Sequence, residues 1–110
     1  VEKALLKNNN NISKTAEELS KSLDDNDESK IAQNYEKLAN EFLNKGDNAK
    51  AEEYYKRALN SYTKLKLTED KTRVTRSLAK AQENQRNFGS AIKNYEKAIV
   101  RIGFYRNVFL

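Results

Sequence analysis

The feature that most constrains this chain is a self-similarity at an interval of forty residues. Leu38 and Ala39 return as Leu78 and Ala79, Asn44 returns as Asn84, and Ala51, Tyr55 and Ala58 return as Ala91, Tyr95 and Ala98. Leu59 is replaced conservatively by Ile99, while most of the residues between these positions change. Small residues that persist while their neighbours vary mark places where two elements approach too closely for a larger side chain. A fixed interval of this length is the signature of a stacked repeat architecture.

Each interval holds two stretches of helical spacing. In the first, Tyr35, Leu38, Ala39 and Phe42 form one stripe, and Ala51, Tyr55, Ala58, Leu59, Tyr62 and Leu65 form the next. Gly46 is suited to the left-handed conformation that ends a helix, and Asp47 or Asn48 to capping the helix that follows. Each unit is therefore expected to be a helical hairpin. In the second unit Arg86 and Asn87 replace the Gly-Asp corner, which predicts a less tightly specified turn. "LTED" at 67–70 offers Thr68 as a cap with two acids in the first turn, and "DDNDE" at 24–28 plays the same part earlier.

Proline is absent, only three residues are glycine, and 34% of the residues are charged, so breakers are rare and apolar material is thin. Together these predict an all-α fold: tandem antiparallel helical hairpins forming a short right-handed superhelix, with no large layered core. The expected organisation is a degenerate or truncated repeat at 1–25, hairpins at 26–66 and 67–102, and an apolar tail or the start of another helix at 103–110. Within the first segment, Leu6 would end one helix, the asparagine tract at 8–11 would turn, and Ile12, Thr15, Leu19 and Leu23 would line a second helix. Gly103 would close the last helix, leaving "FYRNVFL". The chain starts at Val1 and the repeat pattern enters and leaves in mid-course, which suggests a piece of something longer.

The pattern at Leu38, Ala39, Phe42, Gly46, Asp47, Ala51, Tyr55 and Ala58, and again at Leu78, Ala79, Phe88, Ala91, Tyr95 and Ala98, resembles the tetratricopeptide repeat. The second unit departs from it, with Thr75 where the first has Tyr35 and Gln82 where the first has Phe42. The interval of forty also exceeds the usual 34 residues, which is similar to a longer-period variant. The resemblance implies a non-catalytic scaffold or adaptor that holds a peptide or partner helix on the inner face of its first helices. Carried over by position, that face would present Gln33, Glu36, Asn40, Leu43 and Asn44 in one unit, and Arg73, Arg76, Lys80, Glu83 and Asn84 in the next. Of these, Asn40, Asn44, Arg73, Arg76, Lys80 and Asn84 are the expected partner-binding residues. Some relatives clamp the acidic C-terminus of a chaperone; Asn40 suits that pattern, but Glu36 and Ser77 depart from it.

The chemistry of the chain narrows its function. With no histidine and no cysteine it lacks the commonest general base, the thiolate nucleophile and the usual transition-metal ligands, so neither catalysis, a metal nor a cofactor is expected. "DDNDES" superficially suggests a calcium loop, but Ser29 stands at the glycine position and Tyr35 at that of the bidentate glutamate. No apolar run approaches the length of a membrane span and no secretory signal is visible, so the cytoplasm is the expected compartment. The net charge of +5 is concentrated in residues 66–110, where ten Lys or Arg face only Glu69, Asp70, Glu83 and Glu96. Arg73, Arg76 and Lys80 lie along one helical face, so an acidic protein or peptide is the favoured partner. Two alternatives are nucleic-acid binding through the basic half, with Tyr95 or Tyr105 stacking on bases, and a structural segment of a larger assembly.

Overall fold

A computed structural model describes the backbone of residues 2–109 and the side chains of residues 11–99. Five helices follow one another: α1 (Glu2–Asp24), α2 (Glu28–Lys45), α3 (Asn48–Lys64), α4 (Thr68–Asn84) and α5 (Phe88–Phe109). Each packs against the next, and no strand occurs among the described residues. The molecule is a flat slab of 53 × 35 × 19 Å. Its radius of gyration of 15.4 Å exceeds the about 13 Å of a compact domain this size. A stack of hairpins has this shape because each helix is covered by its neighbours in sequence and not by a closed shell.

The corners explain the regularity. Asn26, Gly46, Lys66 and Arg86, each twenty residues from the last, have φ of 53°, 91°, 59° and 63°. In each corner the next amide reaches back five residues: Asp27 to the Ser22 carbonyl (3.1 Å), Asp47 to Phe42 (2.9 Å), Leu67 to Tyr62 (3.0 Å) and Asn87 to Gln82 (2.9 Å). These are Schellman closures, in which a left-handed residue lets the following N–H satisfy a carbonyl left open by the ending helix. The carbonyl of that same residue then accepts the first bond of the next helix, from Ile31, Ala51, Lys71 and Ala91 respectively. One residue thus ends one helix and begins another. The sequence repeats at forty; the backbone repeats at twenty.

This register accounts for two departures from the sequence expectations. The corner at Arg86–Asn87 is closed by the same bonds as the Gly46–Asp47 corner, although a non-glycine residue there bears the left-handed strain. Leu67, and not Thr68, is the N-cap of α4 and makes no side-chain capping bond. Thr68 falls one place inside the helix, where its carbonyl accepts the Thr72 hydroxyl at 3.1 Å. At the other corners Asp27 and Asp47 cap as side chains should, each accepting the amide three residues on at 3.2 Å.

The ends differ from expectation as well. The asparagine tract at 8–11 does not turn: α1 is one helix from Glu2 to Asp24. An asparagine costs only about 0.5–0.7 kcal/mol relative to alanine in a helix, and burial of Thr15, Leu19 and Ser22 with partial burial of Ile12 favours continuing. Similarly α5 continues through Gly103 to Phe109, because an interior glycine weakens a helix by about 1 kcal/mol without stopping it. The side chains of Leu6, Tyr105 and "FYRNVFL" lie outside the described residues.

The packing alanines are where the repeat requires them. Ala39, Ala51, Ala58 and Ala79 are 0% exposed, Ala91 2% and Ala98 4%. Tyr55 is also fully buried and is the largest side chain so enclosed among the described residues, filling the space that the alanines leave beside α3. Leu38, Phe42, Tyr62, Val74 and Leu78 complete the core that joins α2, α3 and α4.

Candidate functional site

The face shared by α2 and α4 is where the sequence places its partner-binding residues. The helical period brings Gln33, Lys37, Asn40 and Asn44 to the exposed side of α2, and Arg73, Arg76, Lys80 and Asn84 to that of α4. The two helices belong to different hairpins, yet they meet directly through a polar lock. Arg73 Nε donates to Glu36 Oε2 and Arg73 Nη2 to Glu36 Oε1, both at 2.8 Å. Asp70 Oδ1 lies 2.7 Å from the same Nη2, and the Tyr62 hydroxyl donates to Glu36 Oε1 at 2.7 Å. The guanidinium also lies over the Tyr62 ring, 5.9 Å from its centroid. The arrangement is a bidentate fork, held by α2, α3 and α4 together.

Its electrostatics follow from that geometry. Burial alone would raise the Glu36 carboxyl, but hydrogen bonds from Arg73 and Tyr62 and the Arg73 charge hold it below the ordinary carboxylate value. The Arg73 guanidinium is driven up, chiefly by its hydrogen bonds to Glu36. Burial and the neighbouring Glu36 carboxylate push the Tyr62 phenol up. Tyr55 is pushed up to about 12, mainly by burial.

The six expected residues therefore divide. Arg73 is neutralised by two carboxylates, so its charge serves to join the hairpins. Asn40 accepts the Tyr55 hydroxyl and so orients the most buried aromatic. Asn84 donates to Asn48 Oδ1 of α3 at 3.0 Å. Lys80 lies only loosely beside Glu83, at 3.9 Å, and Arg76 and Asn44 make no hydrogen bond or ion pair among the described residues. The structure keeps Arg76, Lys80 and Asn44 facing outward and gives the other three internal partners. Sequence reasoning missed the lock because Glu36 and Arg73 are 37 residues apart. The signal was present: residue 36 is acidic where its repeat equivalent, Arg76, is basic.

A second cluster lies between α2 and α3. Tyr54 is half-buried and stacks on Phe42 with ring centroids 5.6 Å apart and planes 8° apart. Tyr35 lies 6.2 Å from it on the other side. Arg57 sits over both tyrosine rings, at 5.9 and 5.6 Å, and Lys50 lies over Phe42 at 5.3 Å. These cations lie over aromatic ring faces, where the ring quadrupole attracts positive charge.

Nothing among the described residues assembles three or more metal-ligating groups. No helix there is long and apolar enough to cross a membrane. What the fold and this face define is a helical-hairpin repeat, built from serially packed helices with alanine contacts and a polar seam between units. Residues 32–64 match the family model of the tetratricopeptide repeat, and that segment is a tetratricopeptide repeat. It spans most of α2 and all of α3. No curated protein matches the sequence.

Proposed function

We propose that this chain is a non-catalytic scaffold that binds an acidic peptide, or an acidic helix of a partner, across the face of α2 and α4. The tetratricopeptide repeat points to a protein–protein interaction module, and the charge of the face supports the chemistry of the ligand. Arg76 supplies a cation with no partner among the described residues, and Lys80 one that meets only Glu83 of its own helix, at 3.9 Å; Asn44 adds an amide that can pair with a peptide backbone. Arg73 and Asn40 act behind them, Arg73 fixing α4 against α2 and Asn40 orienting Tyr55. Asn84 holds the end of α4 on α3. The observation that carries this reading is that Arg76 has no partner among the described residues, beside a seam where Arg73 is paired with two carboxylates.

Fluorescence anisotropy with a labelled hexaglutamate peptide tests it. Replacing Arg76 and Lys80 together by alanine should weaken binding several-fold, since each exposed ion pair is worth about 0.2–1 kcal/mol. The effect should shrink as salt is raised. Unchanged affinity in the double variant would place the ligand elsewhere.

A further inference from the structure

One cleft of the second unit is polar where its counterpart in the first is largely apolar. Walled by α3 and α5 and floored by α4, it has a volume of about 280 Å³, with Thr63, Lys71, Thr72, Thr75 and Lys97 in its lining. Forty residues earlier these positions read Leu23, Ile31, Ala32, Tyr35 and Arg57. Leu59 and Ala98, which complete the lining, keep the residue types of Leu19 and Ala58. The frame is retained and its filling is replaced.

The first unit shows what such a place holds. There Tyr35 lies beside Tyr54, with ring centroids 6.2 Å apart, and the Arg57 guanidinium sits over the Tyr35 ring at 5.9 Å. Arg57 is in turn paired with Glu53 at 3.0 Å, so ring, cation and acid form one series. In the second unit Thr75 stands for the ring and Lys93 for the acid, while Lys97 keeps the cation. Lys71 adds a second positive charge at the position of the buried Ile31. Neither Lys71 nor Lys97 makes a hydrogen bond or ion pair among the described residues. Thr63 and Thr72 donate their hydroxyls to the carbonyls of Leu59 (2.7 Å) and Thr68 (3.1 Å), but the Thr75 hydroxyl has no partner among them. Two cations and an uncommitted hydroxyl therefore line a space large enough for an aromatic ring, since about 150 Å³ already holds benzene.

We propose that this cleft is a second binding site, for a tyrosine side chain of a partner protein with a glutamate or aspartate beside it in sequence. The ligand supplies the two groups that the second unit lacks relative to the first. Its ring takes the place of Tyr35 beneath the Lys97 ammonium, a cation–ring contact, and its carboxylate takes the place of Glu53 as partner to Lys97 and Lys71. A side chain entering from solvent brings its phenol to the floor of the cleft, where the Thr75 hydroxyl can pair with it. The helical period of α4 turns Arg73, Arg76 and Lys80 to another side. The site is thus separate from the α2/α4 face and does not depend on it.

The test is an amide NMR titration of the full chain with an acetylated Glu-Glu-Tyr-Glu peptide. Resonances of Thr63, Thr72, Thr75 and Ala98 should shift, and they should shift equally in Arg76→Ala/Lys80→Ala, which removes the cations of the other face. A peptide with alanine in place of the tyrosine should bind the cleft about ten- to a hundredfold more weakly, the factor for withdrawing one aromatic ring. Thr75→Tyr, which restores the residue of the first unit, should fill the cleft from within and abolish binding. Lys97→Glu should weaken it several-fold, and more so at low salt. Circular dichroism verifies that Thr75→Tyr stays folded; should it not, Lys97→Glu is read in its place. Absence of shifts at the cleft, equal binding by the alanine peptide, or equal binding by the cleft variants overturns the proposal. Shifts confined to the surroundings of Arg76 and Lys80 overturn it too, while leaving the α2/α4 reading in force.

Discussion

The two hairpins share a backbone and fill it differently. At residues 42 and 54 the first hairpin stacks a phenylalanine on a tyrosine; at the equivalent residues 82 and 94 the second places two amides, with Asn94 Nδ2 donating to Gln82 Oε1 at 2.7 Å. Tyr55 is wholly enclosed beneath α4, whereas Tyr95 is half-buried and donates to Glu83 at 2.8 Å. The corners are nevertheless closed by equivalent bonds. The lesson is that corner geometry and alanine contacts set the path of the chain, while the filling between them can be apolar or hydrogen-bonded. The filling decides how much each hairpin contributes to stability.

Differences between paired substitutions should expose this division. The largest effect is expected at the tyrosines: Tyr55→Ala should cost about 3–5 kcal/mol by leaving a large cavity, whereas Tyr95→Ala, in a half-exposed site, should cost about 1 kcal/mol. Urea titration measures both, and equal losses would mean that the hairpins are equally packed. Next, Ala51→Leu should destabilise by about 1–3 kcal/mol through overpacking at a fully buried contact. Ala91→Leu should cost less, because among the described residues α5 is packed only on its α4 side and can shift outward more readily.

The seam between hairpins comes third. Glu36→Gln should cost about 1–2 kcal/mol at pH 7, discounted because Arg73 is 51% exposed. The folded carboxyl lies below its ordinary value of 4.5, so its contribution is complete above that pH and is lost as the pH falls through the lower, folded value. Denaturant titrations from pH 7 to pH 2 should therefore show wild type and variant converging in acid; a constant gap would deny the ion pair its role. The smallest effect concerns the corners. Gly46→Ala should cost about 1 kcal/mol, from the left-handed φ alone, since no atom lies within 4 Å of the added Cβ. Arg86→Gly should relieve similar strain and offset it partly with chain entropy, leaving a change within about 1 kcal/mol.

Much of this architecture was legible in the residues. Alanines 51, 58, 91 and 98 and Tyr55 announced close helix contacts, and they are buried. Less legible was what depends on partners distant in sequence. Asp70, one turn before Arg73, separates it locally from Arg76, but the partner that makes the lock, Glu36, is 37 residues away and stands opposite one arginine and not the other. Thr68 has the chemistry of a cap, yet the amide of Leu67 is bound back to Tyr62 and fixes the cap one residue earlier. Lys66 and Arg86 carry no turn signal at all; their left-handed geometry is imposed by helices already packed on either side of them. The asparagine tract and Gly103 misled for the converse reason, because weak local preferences yield to the continuation of a helix.

Amide hydrogen exchange at Asp27, Asp47, Leu67 and Asn87 tests the twenty-residue backbone period most directly. If the corners are equivalent closures, all four amides are protected to a similar degree, each bonded to the carbonyl five residues before it. Free exchange at Leu67 and Asn87, with protection confined to Asp27 and Asp47, would contradict the account, because the second hairpin would then not follow the path of the first.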